Sequence, residues 1–258
     1  LTKVRAAKFS FDDPTKIKNV TVNKVTNSLE VNNSSPITGD ASLPTNTELK
    51  RRIFDMFATQ NRAVTKQDME AIVYNMPAGL GTVKRCYVKK DPDSFKRNLN
   101  LYVLSEGTDG HLSKASETLK ENIKVWLNKN KMIHDTVDIL DGKIVNFGIE
   151  FSAIADPDVN RFEILNDAIT AMQNKFSQPT YMGEPIYITD IYSILNCNIP
   201  GIIDVKKVDI VIKEGGSYSS TRFSVDKFIS ADGRYLEVPQ NVSMELKFPK
   251  SDIKGTIE

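Results

Sequence analysis

The sequence predicts an α+β protein made of two or three small mixed α/β modules, with antiparallel or mixed sheets and a β-rich C-terminal region. Three observations predict it. Apolar residues recur at helical steps in several separate segments, and strict alternation marks a strand between Lys143 and Ala153. Strand and helix signals also interleave without the βαβ rhythm of a doubly wound sheet. At 258 residues the chain exceeds the usual span of about 100–200 residues for one domain. It divides on pattern into 1–46, an N-terminal arm or the end of a preceding domain; 47–154, a helical pair plus an α+β module; and 155–258, a second α+β module with a β-rich tail.

Residues 1–46 are rich in Thr, Asn, Ser and Val, with short alternations such as Val20-Thr21-Val22 and loop punctuation at Asn32-Asn33-Ser34-Ser35-Pro36. A first helix is predicted from Thr47, a capping-type residue ahead of Leu49, Ile53, Met56 and Phe57 on one face. In Thr65-Lys66-Gln67-Asp68 a hydroxyl precedes a first-turn acid by three residues, which predicts a capped second helix carrying Met69, Ile72 and Val73. Two antiparallel strands follow, 82–90 and 99–104, bounded by Asp91-Pro92-Asp93 and Gly107-Thr108-Asp109-Gly110. A third helix is expected from Ser113, with Ala115, Leu119, Ile123 and Trp126 on its inner stripe.

Val145, Phe147, Ile149, Phe151 and Ala153 alternate with Asn146, Gly148, Glu150 and Ser152, a half-buried strand. Phe162, Leu165, Ile169, Met172 and Phe176 then recur at steps of three and four, behind capping candidates Asp158 and Asn160. A shorter helix at 188–195 leads through Pro200-Gly201 to strand signals at 203–205 and 208–212, and the remainder reads as short strands and turns.

Lys plus Arg total 34 against 33 Asp plus Glu, so the formal charge of +1 provides no general field for a polyphosphate backbone. Nucleic acid is not an expected partner. Apolar runs are only a few residues long, far short of the roughly 20 that span a bilayer, and no signal peptide opens the sequence, so no membrane association is expected. Cys86 and Cys197 are too few for a disulfide framework and are expected as buried free thiols. Leu1-Thr2-Lys3, without an initiator Met, points to a piece of something longer.

The residues for catalysis or metal binding are not arranged for either. His111 and His134 have no metal-ligand spacing and no nucleophile elbow beside them, and are expected on surface loops. Asp156, Asp158 and Asn160 resemble the opening of a calcium loop, but Arg161 stands where the turn demands Gly, which favours a turn and a helix cap. Gly79-Leu80-Gly81 precedes a strand, not a helix, so it lacks the setting of a phosphate loop. Asp91/Asp93 and Asp138/Asp141 are ordinary turn acids, and the lysine-rich stretches 84–90 and 124–131 read as solvated faces. No catalytic residue, cofactor or metal is assigned. Within the Pro- and Gly-broken segment 181–202, Tyr181, Tyr187, Tyr192, Ile199 and Ile202 exceed what one short helix can bury and are candidate interface residues.

Asn61-Arg62-Ala63-Val64-Thr65-Lys66-Gln67-Asp68 resembles the N-R-A-V-T-x-x-D signature of the baseplate J-like family, which precedes a helix and then a strand after a glycine. The order of elements behind it, through the 119–127 helix, the 145–153 strand and Ile199-Pro200-Gly201-Ile202-Ile203-Asp204-Val205, is similar to that family. The likeness is best from Thr47 to Lys213, and the nearest form is the C-terminal part of the baseplate wedge proteins of T-even-type contractile-tail bacteriophages. The resemblance implies a late structural protein of the virion, placed in the tail baseplate after assembly in the host cytoplasm. It implies a homodimer within a ring, contacts with other baseplate wedge proteins around the hub, and no catalysis. Two other classes stay open: a tail-associated hydrolase with acids converging in a cleft, and a receptor- or glycan-binding module with clustered exposed aromatics.

Overall fold

The computed structural model describes residues 43–91 and 98–258, and the statements below concern those residues. The strands expected before Leu43 lie outside them, as does Asp93. The fold is α+β, with two mixed sheets that each carry helices.

Helix α1 (Asn46–Thr59) is capped by Thr45, two residues earlier than the sequence suggests; the Thr45 hydroxyl accepts the Glu48 N–H at 3.3 Å. Gln60 and Asn61, with φ of 48° and 59°, turn the chain at the end of α1. Helix α2 (Lys66–Tyr74) opens with the predicted capping box. The Asp68 N–H donates to the Thr65 hydroxyl at 3.1 Å, and the Thr65 N–H donates back to Asp68 Oδ2 at 2.8 Å.

The first sheet is organised by β2 (Asn98–Glu106), which pairs antiparallel with β1 (Arg85–Lys90) along one edge. Its other edge takes β3 (Leu112–Lys114) and, in parallel, β4 (Thr136–Asp141). Helix α3 (Glu117–Asn130) starts at Ser116, and not at Ser113. Ser113 is drawn into β3, where its hydroxyl lies 3.0 Å from that of Ser105. Leu119, Ile123 and Leu127 of α3 and Met69, Ile72 and Val73 of α2 pack on Cys86, Val88, Leu101 and Val103. Trp126 packs half-buried against this core, and its indole N–H donates to the Ile72 carbonyl at 2.9 Å.

The second sheet is centred on β5 (Lys143–Ala155), paired antiparallel with β7 (Ile202–Lys213) and, on its other edge, parallel with β9 (Val242–Glu245) and β10 (Ile253–Ile257). Val145, Phe147, Ile149, Phe151 and Ala153 face the core, as their alternation predicts. That core is completed by helix α4 (Arg161–Lys175), through Ile164, Ala168 and Met172, and by α5 (Ile188–Asn198). β5 thus belongs to the core of residues 145–257, although its position in the chain placed it at the end of the 47–154 segment.

The reverse face of β5 is not all solvent. Asn146 is buried, and a Cβ at Gly148 would lie 2.6 Å from the Asp252 carbonyl oxygen, so the short helix α7 (Pro249–Asp252) can close over the strand only because residue 148 has no side chain. Phe162 leaves its expected place in the α4 stripe and is 79% exposed, because the inward face starts at Ile164. A two-stranded ribbon, β6 (Ile186–Tyr187) with β8 (Tyr235–Leu236), and helix α6 (Val225–Phe228) complete the C-terminal half. Leu104, Leu112 and Met182, with Tyr87, Tyr102 and Ile144, form a small apolar cluster that joins residues of both sheets.

Burial pushes the Asp68 carboxyl up, but the Thr65 amide and hydroxyl and the Val64 amide outweigh it, and its pKa falls below the ordinary carboxylate value. Its contribution is therefore present above the unfolded-state pKa and lost as pH falls through the lower folded value. Acid titration of thermal stability should show Asp68→Asn destabilised near neutral pH and converging on wild type toward pH ~3; a constant difference across that range would refute the capping carboxylate.

Candidate interaction groove

Four buried charges, Glu48, Lys84, Arg85 and Glu106, lie around the junction of α1 and the first sheet. Arg85 is 2% exposed and places every guanidinium nitrogen: Nη1 lies 2.9 Å from Glu48 Oε1 and from the Lys84 carbonyl, Nη2 donates to Pro179 at 2.7 Å, and Nε donates to Thr180 at 3.2 Å. Glu48 Oε1 also accepts from Arg52 at 2.7 Å. Lys84 is buried too, with its ammonium 3.1 Å from Glu106. Lys84 and Arg85 therefore do not form the solvated face that a lysine-rich stretch suggests. Their partners are distant in sequence, and the pairing compensates a desolvation that an isolated charge could not bear.

Tyr181 is held between two guanidiniums, with Arg85 4.7 Å and Arg51 4.9 Å from its ring centroid, and Arg52 lies 4.4 Å over the Tyr74 ring. Burial, and then the nearby Glu48, push the Tyr181 hydroxyl up. Two side chains of α2 close the outer edge of β1: the Cys86 N–H donates to the Tyr74 hydroxyl at 3.0 Å and the Val88 N–H to Glu70 Oε1 at 2.9 Å. Burial raises the Glu70 carboxyl above its ordinary range and pushes the Tyr74 hydroxyl and Cys86 thiol well up. Perturbed groups of this kind mark a catalytic site only when they face a reactant. Here Glu70 accepts a strand amide and Tyr74 accepts another, and with Cys86 they line the floor of a groove.

Above these residues lies a groove of about 610 Å³, walled by α1, α2, β1 and the 181–182 segment. The apolar part of its α1 wall is open: Leu49 is 45% exposed, Ile53 61% and Phe57 86%, and Phe54, outside the groove, is 72% exposed. The periodic stripe that predicts the helix is real, and Met56 in it is half-buried, but Ile53 and Phe57 stay exposed among the described residues. The groove's charged lining is balanced, Arg51 and Arg52 against Asp55 and Glu70; Arg51 approaches Asp55 at 3.8 Å and Gln67 bonds Asp55 at 2.8 Å.

The five residues nominated for contact by the sequence fall in different places. Tyr181 lines the groove and also a neighbouring cleft of about 410 Å³, whose far side holds Tyr187. Tyr187 is 48% exposed and its ring centroid is 6.0 Å from that of Tyr235. Tyr192 and Ile202 are half-buried against the second core, and Ile199 is inside it. The main exposed apolar surface, on α1, was read from the sequence as a core face; periodicity marks an apolar stripe but does not say what covers it. Of the two cysteines, Cys86 is buried and Cys197 exposed, the latter against expectation, because the α5 face that packs inward carries Ile188, Ile191 and Leu195.

His134 is exposed, but His111 is ordered: Nδ1 lies 3.2 Å from the buried Glu245, which also accepts the Leu112 N–H at 3.0 Å. The Asp156–Asn160 turn ends in a helix cap, with Asn160 accepting the Phe162 N–H at 3.1 Å. Among the described residues no group of three or more His, Cys, Asp or Glu side chains is placed to hold a metal ion, and no helix is long and apolar enough to cross a membrane.

No family model matches the chain, and no curated protein matches it. Among solved structures, a chain of the anti-feeding prophage baseplate, determined by cryo-electron microscopy and 6-fold symmetrised, is similar at 12% sequence identity and a TM-score of 0.46. The match covers 79% of this chain and 42% of that one, so this chain spans less than half the length of the neighbour. At that TM-score the likeness decides nothing about this chain.

Removing the Arg85 guanidinium leaves Glu48 buried with Arg52 as its remaining partner. Arg85→Met should cost about 3 kcal/mol, the low end for breaking a buried pair, because Arg52 persists. Urea denaturation measures it, and a loss below about 0.5 kcal/mol, the surface range, would show that the pair is not structural.

Proposed function

We propose that this chain is a structural, non-catalytic subunit of a contractile-tail baseplate wedge, which self-associates and joins neighbouring wedge proteins into a ring around the hub. The observation that supports an assembly role is the apolar side of α1 that no described residue covers at Ile53 and Phe57, on a helix anchored by a buried Glu48–Arg85 pair. Contiguous exposed apolar surface of this kind marks a place for another macromolecule. The baseplate assignment rests on the resemblance of the Asn61–Asp68 segment, which here forms the turn and capping box that set α2 against β1. Tyr181 and Tyr187, on the groove and its adjoining cleft, belong to the same proposed contact region.

The reading predicts that the chain is a stoichiometric component of tail particles purified from its source. Ile53→Asp with Phe57→Asp, both exposed and so compatible with folding, should be missing from such particles while keeping the wild-type circular dichroism melt. A wild-type chain absent from purified tails would end this reading.

A receptor- or glycan-binding module is the second reading, and the exposed Tyr187–Tyr235 pair favours it. Glycan-array binding that disappears in Tyr187→Ala with Tyr235→Ala would support it, and an array without signal would remove it.

A further inference from the structure

The cleft between Tyr181 and Tyr187 differs from the α1 groove in its chemistry. Its volume of about 410 Å³ is in the range of small-ligand sites. The first turn of α1, the last turn of α4, the 176–187 segment and the start of α5 wall it. These walls are fixed by their own bonds. Arg85 bonds the Pro179 and Thr180 carbonyls, and the Thr180 hydroxyl accepts the Met244 N–H. The Glu184 N–H donates to the Tyr181 carbonyl at 3.1 Å, and its carboxylate accepts the Tyr181 N–H at 2.8 Å. The charges in the lining are spent on one another: Arg85 is taken by Glu48, and Lys175 lies 3.3 Å from Asp190. With Glu184 added, no cation is left over for an anionic ligand.

What remains for a ligand is uncharged. The side chains of Thr47, Asn174, Ser177 and Gln178 line the cleft and form no hydrogen bond with any described residue, and Gln178 Oε1 is buried without a partner. A buried acceptor in that state is costly and calls for a donor. At the Tyr187 end, Tyr187 is 48% and Tyr235 40% exposed, with ring centroids 6.0 Å apart, so two amphipathic rings stand beside the amides and hydroxyls. We infer that this cleft binds a neutral saccharide, whose hydroxyls pair with Asn174 and Gln178 and whose C–H face lies against Tyr187. A sugar matches each part of the lining: it donates and accepts at every hydroxyl, carries an apolar face and needs no counter-charge. The inference rests on the glycan-binding reading and supplies its site and sugar class.

An array of neutral and sialylated oligosaccharides, probed with the full chain and followed by isothermal titration of the strongest neutral ligand, tests it. Signal should be confined to neutral glycans. Asn174→Ala with Gln178→Ala removes groups that no described residue bonds, and should raise Kd at least about tenfold, the worth of two neutral hydrogen bonds. Ser177→Trp, at an exposed position, should fill the cleft and abolish binding while leaving the Tyr187–Tyr235 pair in place. Unchanged thermal melts verify that both variants fold. Binding that survives both variants but disappears in Tyr187→Ala with Tyr235→Ala overturns the cleft and leaves the glycan reading standing. Signal from sialylated glycans alone overturns the neutral class, and an array without signal removes the reading and the inference together.

Discussion

The buried Arg85 guanidinium is the constraint on which much of the arrangement depends. It bonds Glu48 of α1, the Lys84 carbonyl before its own strand, and the carbonyls of Pro179 and Thr180 beyond α4. Thr180 is in turn bound into the second sheet, where its hydroxyl accepts the Met244 N–H at 2.9 Å and its carbonyl accepts the Ser243 hydroxyl at 2.7 Å. A single planar cation with several fixed donors thereby ties α1, β1 and β9 into one frame. Lysine, with a point charge on a flexible stem, could not address those acceptors in the same geometry. Apolar side chains of the same volume would serve stability as well or better, but they would not fix where α1 sits.

That frame explains why α1 can remain helical while showing apolar residues to solvent. Its first turns are capped by Thr45 and pinned through Glu48, Arg51 and Arg52, and its last turns through the Asp55–Gln67 hydrogen bond and the buried Thr59. Isolated helices of this length are marginal in water, and it is tertiary anchoring that keeps them formed. The exposed face is therefore presented in a fixed orientation, which reduces the ordering cost of any later contact.

Local chemistry made much of the fold readable. The Thr65/Asp68 box, the β5 alternation and the Asn160 cap all act over a few residues, and each appears where its pattern places it. Errors arose where local signals were degenerate or where the deciding partner was remote. Ser113 and Ser116 offer the same capping chemistry, and only pairing of β3 with β2 chooses between them. Lys84 and Arg85 look like surface cations because Glu106, Glu48 and Thr180 lie far away in sequence. The groove was hidden for the complementary reason: a stripe of Leu49, Ile53 and Phe57 is written identically whether the surface that covers it lies in the same molecule or another.

The closure of β1 by Tyr74 and Glu70 limits how this molecule can grow. An edge strand normally offers main-chain donors and acceptors to any extended peptide, with little regard for its sequence. Here the amides of Cys86 and Val88 are already taken by side chains of a packed helix, and an invading strand would have to displace Tyr74 and Glu70 to pair along that stretch. Extension of the sheet on that side is thus blocked, and contacts are directed to side-chain surfaces, where shape and charge discriminate between partners and where joining does not commit the chain to an irreversible fibre.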